Sequence, residues 1–409
     1  MNLESKGRSP FNPSQPVPVD LFVGRKPQIE RFLRSASQTA LGKPQQVYIA
    51  GPYGMGKSSL AAYMKSYCQE KYRLWGVHVF LGGADGLEEM AFKTVETMLK
   101  TPAGQPSLTE KIRNALAKYI EELELMGVKL NVAALKADSP NLSLGYSSFL
   151  ESMFRRVQDE GFKGMMLILD EINGIAGNPK FAYFLKSWVD SNAVSAAPLP
   201  LLLVLCGVEE RRRQMIKSHQ PVERIFDIVD VDPLSREEHD DFFQRAFQQG
   251  AMTIDADALE EFYLASSGYP KFMHILGNAV FWLDQDGRIT FKDALEAIRE
   301  GALEVGRRFL EPQVYQALRS KEYLRILRAI GETPHLALFG DAFHKSELEE
   351  ELTESEKKKL PNFLNRMKKL HLLEPGEGRG EYRFSNPLVS YYINLEATAH
   401  RQQSGRKEK

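Results

Sequence analysis

Val47-Tyr48-Ile49-Ala50-Gly51-Pro52-Tyr53-Gly54-Met55-Gly56-Lys57-Ser58-Ser59 is the stretch on which the reading of this chain turns. Four apolar residues lead into a turn with the spacing Gly-x-x-x-x-Gly-Lys-Ser, and a helical pattern follows over residues 60–67. Strand, turn and helix in that order make a phosphate cradle. The glycines let successive backbone N–H groups point inward at phosphate oxygens, and the helix N-terminus adds partial positive charge. In such a cradle Lys57 supplies a full charge at the β and γ phosphates, and the Ser58 hydroxyl ligates magnesium. Pro52, Tyr53, Gly54, Met55, Gly56, Lys57, Ser58 and Ser59 are therefore the candidate nucleotide contacts, with ATP and Mg2+ as the expected ligands.

Outward from this loop, three more apolar runs occur: Val77-His78-Val79-Phe80-Leu81, Met165-Met166-Leu167-Ile168-Leu169 and Leu201-Leu202-Leu203-Val204-Leu205. Helical patterns separate them. Continuous apolar strands alternating with helices predict an α/β fold with a parallel sheet covered on both faces. The run Met165–Leu169 ends in Asp170-Glu171, two carboxylates just past a buried strand, where an open α/β sheet places its ligand site. Asp170 suits the magnesium shell, and Glu171 suits orienting or deprotonating the attacking water. Alone, the pair could equally cap the next helix; the upstream loop is what gives it chemistry.

Residues 1–20 are polar and rich in Pro and Ser, without the apolar core of a signal peptide, and read as a flexible tail. The nucleotide domain is expected over 21–233; within 101–143 a helix over 108–126 precedes a polar stretch that reads as an exposed loop. From 234 to 310 the pattern is wholly helical, with Ser235 and Asp255 as N-caps. Over 311–396, helical runs precede the turn Pro375-Gly376-Glu377-Gly378-Arg379-Gly380, the alternating Tyr382-Arg383-Phe384 and a terminal helix. Helices followed by a hairpin predict a winged helix-turn-helix, with Pro361 as the first residue of its basic helix. Residues 397–409 read as a disordered tail.

Composition narrows the classes. The 409 residues carry 53 basic and 54 acidic side chains, a net charge of −1. That excludes collagenous, mucin-like and wholly disordered chains, and it supplies no global field for nucleic acid or acidic membrane. The longest apolar run, residues 198–206, falls far short of the roughly 20 residues that span a bilayer. Cys68 and Cys206 are too few for a disulfide framework or a cysteine-only metal site; they fit a reducing compartment, the cytoplasm by default. The histidines lack zinc spacing, and no arrangement for nucleophilic catalysis stands out, so magnesium carried by the nucleotide is the one metal expected.

A contact with nucleic acid must therefore come from a local patch. Lys357, Lys358, Lys359, Arg366, Lys368 and Lys369, with Arg379 and Arg383 on the expected wing, could grip the phosphates of duplex DNA. Yet residues 321–409 hold 16 basic and 14 acidic side chains, and Glu347, Glu349, Glu350, Glu351, Glu354 and Glu356 lie beside the cluster. Binding to a partner protein and a merely solvated charged face both remain open.

Leu21-Phe22-Val23-Gly24-Arg25-Lys26 resembles the F-V-G-R-E box that precedes the phosphate loop in AAA+ ATPases of the origin-recognition and replication-initiator type, and in the related STAND and archaeal-type ATPases. Lys26 stands where the family usually has Glu. The resemblance covers nearly the whole chain in order and implies an ATPase core, a helical lid and a C-terminal winged helix. It assigns Val23 and Arg25 to nucleotide contact, and Arg224 to the place of an arginine finger that reaches a neighbouring subunit of an ATP-dependent homo-oligomer. Ser267-Gly268-Tyr269-Pro270-Lys271 resembles the second sensor, Gly-x-Pro-Arg, with Pro270 and Lys271 as nucleotide contacts and lysine replacing arginine. At the first sensor the pattern is broken: Cys206 or Val208 stands where Asn, Thr or Ser is expected. The implied activity is slow ATP hydrolysis used as a switch, assembling with DNA in the manner of an initiator or a transposition regulator. Two alternatives are a STAND-type regulator acting with an effector protein without DNA, as in antiviral defence, and a nucleotide-binding scaffold that never hydrolyses. A plain turn at Gly24, an exposed Arg224 at a helix end and a helix start at Pro270 are the corresponding bland readings.

Overall fold

The computed structural model describes residues 6–13, 15–100, 141–315, 320–333, 342–370, 372–376 and 378–407. Strand β1 (Gln45–Ala50) lies in a five-stranded sheet with β2 (Leu74–Phe80), β3 (Gly164–Asp170), β4 (Leu201–Gly207) and β5 (Asp227–Asp230). The spatial order is β2-β3-β4-β1-β5, and every pairing is parallel. β3 and β4 are buried along their whole length, which is why their sequences are unbroken apolar runs. Helices α1 (Lys26–Ala40), α2 (Lys57–Lys71) and α3 (Leu87–Lys100) connect or flank these strands, followed by helices Asn141–Gln158, Pro179–Ala193 and Glu209–Ser218. The core gathers Trp75, Val79, Leu167, Leu203, Trp188 and Phe181, each at most 2% exposed. The helix expected over 108–126 lies outside the described residues.

The chain divides into two compact units, one comprising Pro16–Asp232 and the other Met1–Gln15 together with Pro233–Lys409. The first holds the parallel sheet. The second opens with helix Arg236–Gln249, whose N-cap Ser235 forms a reciprocal capping box with Glu238. Asp255 holds the N-cap position of helix Ala256–Ser266, but its carboxylate accepts from Arg288 at 3.0 and 3.1 Å instead of capping. The segment expected to be wholly helical also contains a two-residue parallel pairing, Thr253–Ile254 with Arg288–Ile289. Helices Pro270–Leu283 and Phe291–Val305 complete this part.

Towards the C-terminus come helix Lys321–Gly331, strand Ala342–His344, helices Lys345–Glu351 and Glu354–Lys369, and an antiparallel hairpin of Leu373–Pro375 with Glu381–Phe384, the latter pairing also with Ala342–His344. Pro361 does not begin its helix. Thr353 and Glu356 form a capping box that starts it at Glu354, and the proline lies inside it. The final helix, Pro387–Lys407, runs through most of the stretch expected to be a disordered tail.

The N-terminal stretch departs further from expectation. Phe11 is 4% exposed, with its ring 5.1 Å from that of Phe247 and 6.0 Å from those of Phe242 and Phe243. Lys6 donates to the backbone oxygen of Phe281 at 2.6 Å and to that of Asp284, at the C-terminus of helix Pro270–Leu283, where a cation is favoured. One aromatic residue and one lysine thus fix a segment whose composition otherwise reads as mobile. No helix among the described residues is long and apolar enough to cross a membrane.

Candidate functional site

β1 delivers the glycine loop to the edge of the sheet. Gly54 (φ 78°) and Gly56 (φ 89°) take the left-handed backbone that only glycine adopts without strain, and α2 begins at once with Lys57. A Cβ at Gly51 would lie 2.7 Å from the backbone oxygen of Val231, so the strand leaves the sheet under close packing. The Lys57 ammonium donates to the backbone oxygens of Gly51 at 2.9 Å and Pro52 at 2.7 Å, and lies 5.6 Å from the ring centre of the exposed Tyr53. Burial pushes Lys57 below its ordinary value, opposed by Cys206, Asp170 and Glu171. The lysine and the acid pair therefore share one electrostatic environment within one unit.

Asp170 closes β3 and is 1% exposed. Its Oδ1 accepts the backbone N–H of Glu171 at 2.8 Å, and its Oδ2 accepts from His78 Nε2 at 2.9 Å. Burial, and after it the charge of Asp170, push the Cys206 thiol well above its ordinary value. Glu171 stands in the left-handed region at φ 57°, a conformation that costs a non-glycine residue on the order of 1 kcal/mol. Its Oε2 lies over Gly82, where a Cβ would come within 2.4 Å.

Arg25, expected at the nucleotide, is 5% exposed and donates to the backbone oxygens of Met55, at 3.0 Å, and Asp232. It braces the loop, and its own φ of 62° makes the turn with Gly24 that opens α1. Val23 is buried and Met55 is 1% exposed. Ser58 is half-buried in the first turn of α2, and Ser59 Oγ accepts the Val17 N–H at 3.1 Å. Arg224 is exposed at the end of the turn Gln220–Arg224. Pro270 is the first residue of its helix in the other unit, where burial, reinforced by Arg308, lowers Lys271 to about 8.

At the position of the first sensor, Cys206 is fully buried and the Val208 N–H donates to Asn173 Oδ1 at 3.2 Å. Glu209 pairs with Arg212 and Arg213, and Arg211 donates to Gln214. His78, Gly82 and Asn173 belong to this site and were not read from the sequence; the one available signal was a histidine inside an otherwise apolar strand.

The residues fit a magnesium-bound nucleotide. The glycines leave room for backbone N–H groups to reach phosphate oxygens, Lys57 provides charge, and Ser58 and Asp170 provide oxygen ligands. Among the described residues no group of three or more His, Cys, Asp or Glu could hold a metal ion.

Solved structures share this architecture. A Walker-type ATPase of Pyrococcus abyssi is 18% identical with a TM-score of 0.55, over 91% of this chain and 96% of that one. The ORC2 protein of Aeropyrum pernix, in its ADPNP-ADP complexes, is 14% identical with a TM-score of 0.58, over 93% and 95%. Its ADP form is 14% identical with a TM-score of 0.51. The fold is that of the P-loop AAA+ ATPases. No family model and no curated protein matches the sequence, so at these identities the likeness establishes architecture, and chemistry must be argued from the P-loop residues themselves.

Proposed function

We propose that the chain is an ATP-binding switch that hydrolyses ATP slowly and assembles on duplex DNA as a homo-oligomer. The observation that carries the first part is the convergence of Lys57, Asp170 and Glu171 at one edge of the parallel sheet. Lys57 would hold the β and γ phosphates, Ser58 and Asp170 the cation, and Glu171 the attacking water. Magnesium, when bound, neutralises charge on the phosphate oxygens. The Aeropyrum pernix protein with the same fold is described in complexes with ADPNP and ADP, which supports a nucleotide here. Cys206, a fully buried thiol where the resembling ATPases carry a polar sensor, supports slow turnover.

The second part rests on the C-terminal segment, read as a winged helix. Between Lys358 and Lys369 the exposed positions of its helix are Lys358, Pro361, Asn362, Asn365, Arg366 and Lys369, with no carboxylate among them. Of the neighbouring acids, Glu354 pairs with Lys357, Glu322 with Lys359, Glu349 with Lys345, and Glu356 accepts the Thr353 backbone N–H. Asparagine and arginine on a cationic helical face are the side chains that read base edges, with lysines on phosphates. Exposed Arg379 and Arg383 extend the charge onto the hairpin. This arrangement favours duplex DNA over an effector protein.

Particle size by light scattering, with and without ATP and a duplex, tests both parts. Growth that needs ATP and duplex together is expected. Growth with ATP alone and no duplex affinity at low salt would replace DNA with a protein partner, and indifference to ATP would remove the switch. Arg224 is the proposed link between subunits, and a cytoplasmic location accords with the reading.

A further inference from the structure

A carboxylate as buried as Asp170 needs hydrogen-bond donors in place of the water it has lost. One of its donors, the Glu171 N–H, belongs to the backbone and is fixed by the turn after β3. His78 is different. It comes from the neighbouring strand β2, in register with Ile168, and reaches Oδ2 with a side chain only 6% exposed. One face of the ring is covered by Phe80, whose ring stacks on the imidazole at 4.4 Å and 19°. Phe80 thus covers a face of the imidazole while Asp170 holds its Nε2 edge. The carboxylate oxygen is the acceptor and Nε2–H the donor in this contact.

We propose that His78 is a positioning residue for Asp170. By donating to Oδ2 it fixes the rotation of the carboxylate, a torsion that is otherwise broad and two-fold, so that Asp170 presents one arrangement to the cation. Partners that orient a metal-ligating carboxylate typically change metal affinity 10- to 100-fold when removed. The proposal rests on the assignment of Asp170 to magnesium, and the test separates the two.

The measurement is calorimetric binding of ATP across a magnesium series, with EDTA as the metal-free reference. His78→Ala should raise the magnesium concentration for half-maximal binding 10- to 100-fold while leaving ATP affinity in EDTA within about two-fold. His78→Phe fills the space without the donor and guards against collapse of β2; it should shift the metal dependence as alanine does. His78→Gln restores a donor and should return to within a few-fold of the parent. A merely structural histidine would lower the melting temperature in all three and leave the magnesium midpoint unmoved, which overturns the proposal. If the parent protein itself binds ATP no better with magnesium than in EDTA, the assignment of Asp170 fails first, whatever the variants do.

Discussion

The Lys57 ammonium is bonded to the backbone oxygen of Pro52 across 2.7 Å, so the cation of the phosphate loop is held by the loop itself. Replacing these carbonyls by phosphate oxygens exchanges neutral acceptors for charged ones, and hydrogen bonds to charged groups contribute about 1.5–3 kcal/mol. Lys57→Ala should therefore weaken ATP binding at least ~100-fold by calorimetry. The carbonyls it abandons are near the surface and can turn to water, so the melting temperature should change little. Unaltered ATP affinity would contradict the site.

Gly82→Ala tests the proposed role of Glu171 in activating water. The new Cβ would come within 2.4 Å of Glu171 Oε2, forcing the carboxylate from its place. A displacement of about 1 Å at a reacting group can slow turnover on the order of 100-fold. Hydrolysis should fall by roughly 10- to 100-fold, while ATP binding, proposed to depend on Lys57 and the loop, should stay within a few-fold. Glu171→Gln should reproduce the loss without moving the backbone; equal turnover in both variants and parent would remove Glu171 from the hydrolytic step, and no turnover in the parent would mean that the chain binds nucleotide without hydrolysing it.

Which parts of this site a sequence can reveal depends on how local the signal is. The glycine loop and the acid pair are contiguous, each after a strand made legible by burial on both faces. His78 is not: 92 residues separate it from Asp170, and only the pairing of β2 with β3 joins them. β5 escaped notice because it is a four-residue edge strand with aspartates at both ends. Pro361 misled because proline favours the first helical turn, whereas the capping box at Thr353 and Glu356 outweighs that preference. Phe11 lies among polar residues and prolines, and its pocket is formed by side chains more than 230 positions away.

That pocket makes the N-terminal segment part of the second unit's stability. A Cβ at Gly277 would come within 2.2 Å of the Phe11 ring, so the glycine is what admits it. Phe11→Ala should destabilise by ~2–4 kcal/mol, at the lower side for a buried phenylalanine because a terminal segment can detach. Gly277→Ala should expel the ring, and the double variant should cost little more than the worse single one. Urea unfolding of the three proteins checks this; additive losses would mean that ring and glycine act separately.

Acid should weaken the same unit. His274 accepts the Asn12 N–H at Nδ1, 3.1 Å away, and burial lowers it from 6.5 to about 4. The folded state thus resists a proton that the unfolded chain accepts, so the stabilisation is complete above about pH 6.5 and is lost as the pH falls towards about 4. At 1.36 kcal/mol per pH unit the loss amounts to about 3 kcal/mol. His239, also lowered by burial, acts in the same direction. Melting temperature followed from pH 8 to 4 should fall through this window, and His274→Gln, which keeps an acceptor, should flatten the fall.

The cations of the C-terminal helix are not equivalent. Lys357 and Lys359 already have carboxylate partners, Glu354 at 2.9 Å and Glu322 at 2.6 Å, whereas Lys358, Arg366 and Lys369 lie exposed along one face. Each phosphate neutralised by a protein cation adds about 0.9 to the slope of log affinity against log salt. Replacing Lys358, Arg366 and Lys369 together with glutamine should therefore reduce that slope by about 3 if each meets a phosphate, and by less if Arg366 reads a base instead. The same change at Lys357 and Lys359 should alter it by less than 1, because those charges are offset where they stand. Asn362→Ala should leave the slope alone and narrow the difference in affinity between preferred and random duplexes. Equal losses from the two lysine sets would show that the duplex is held by net charge alone, and that the carboxylate-free face of the helix has no part in choosing it.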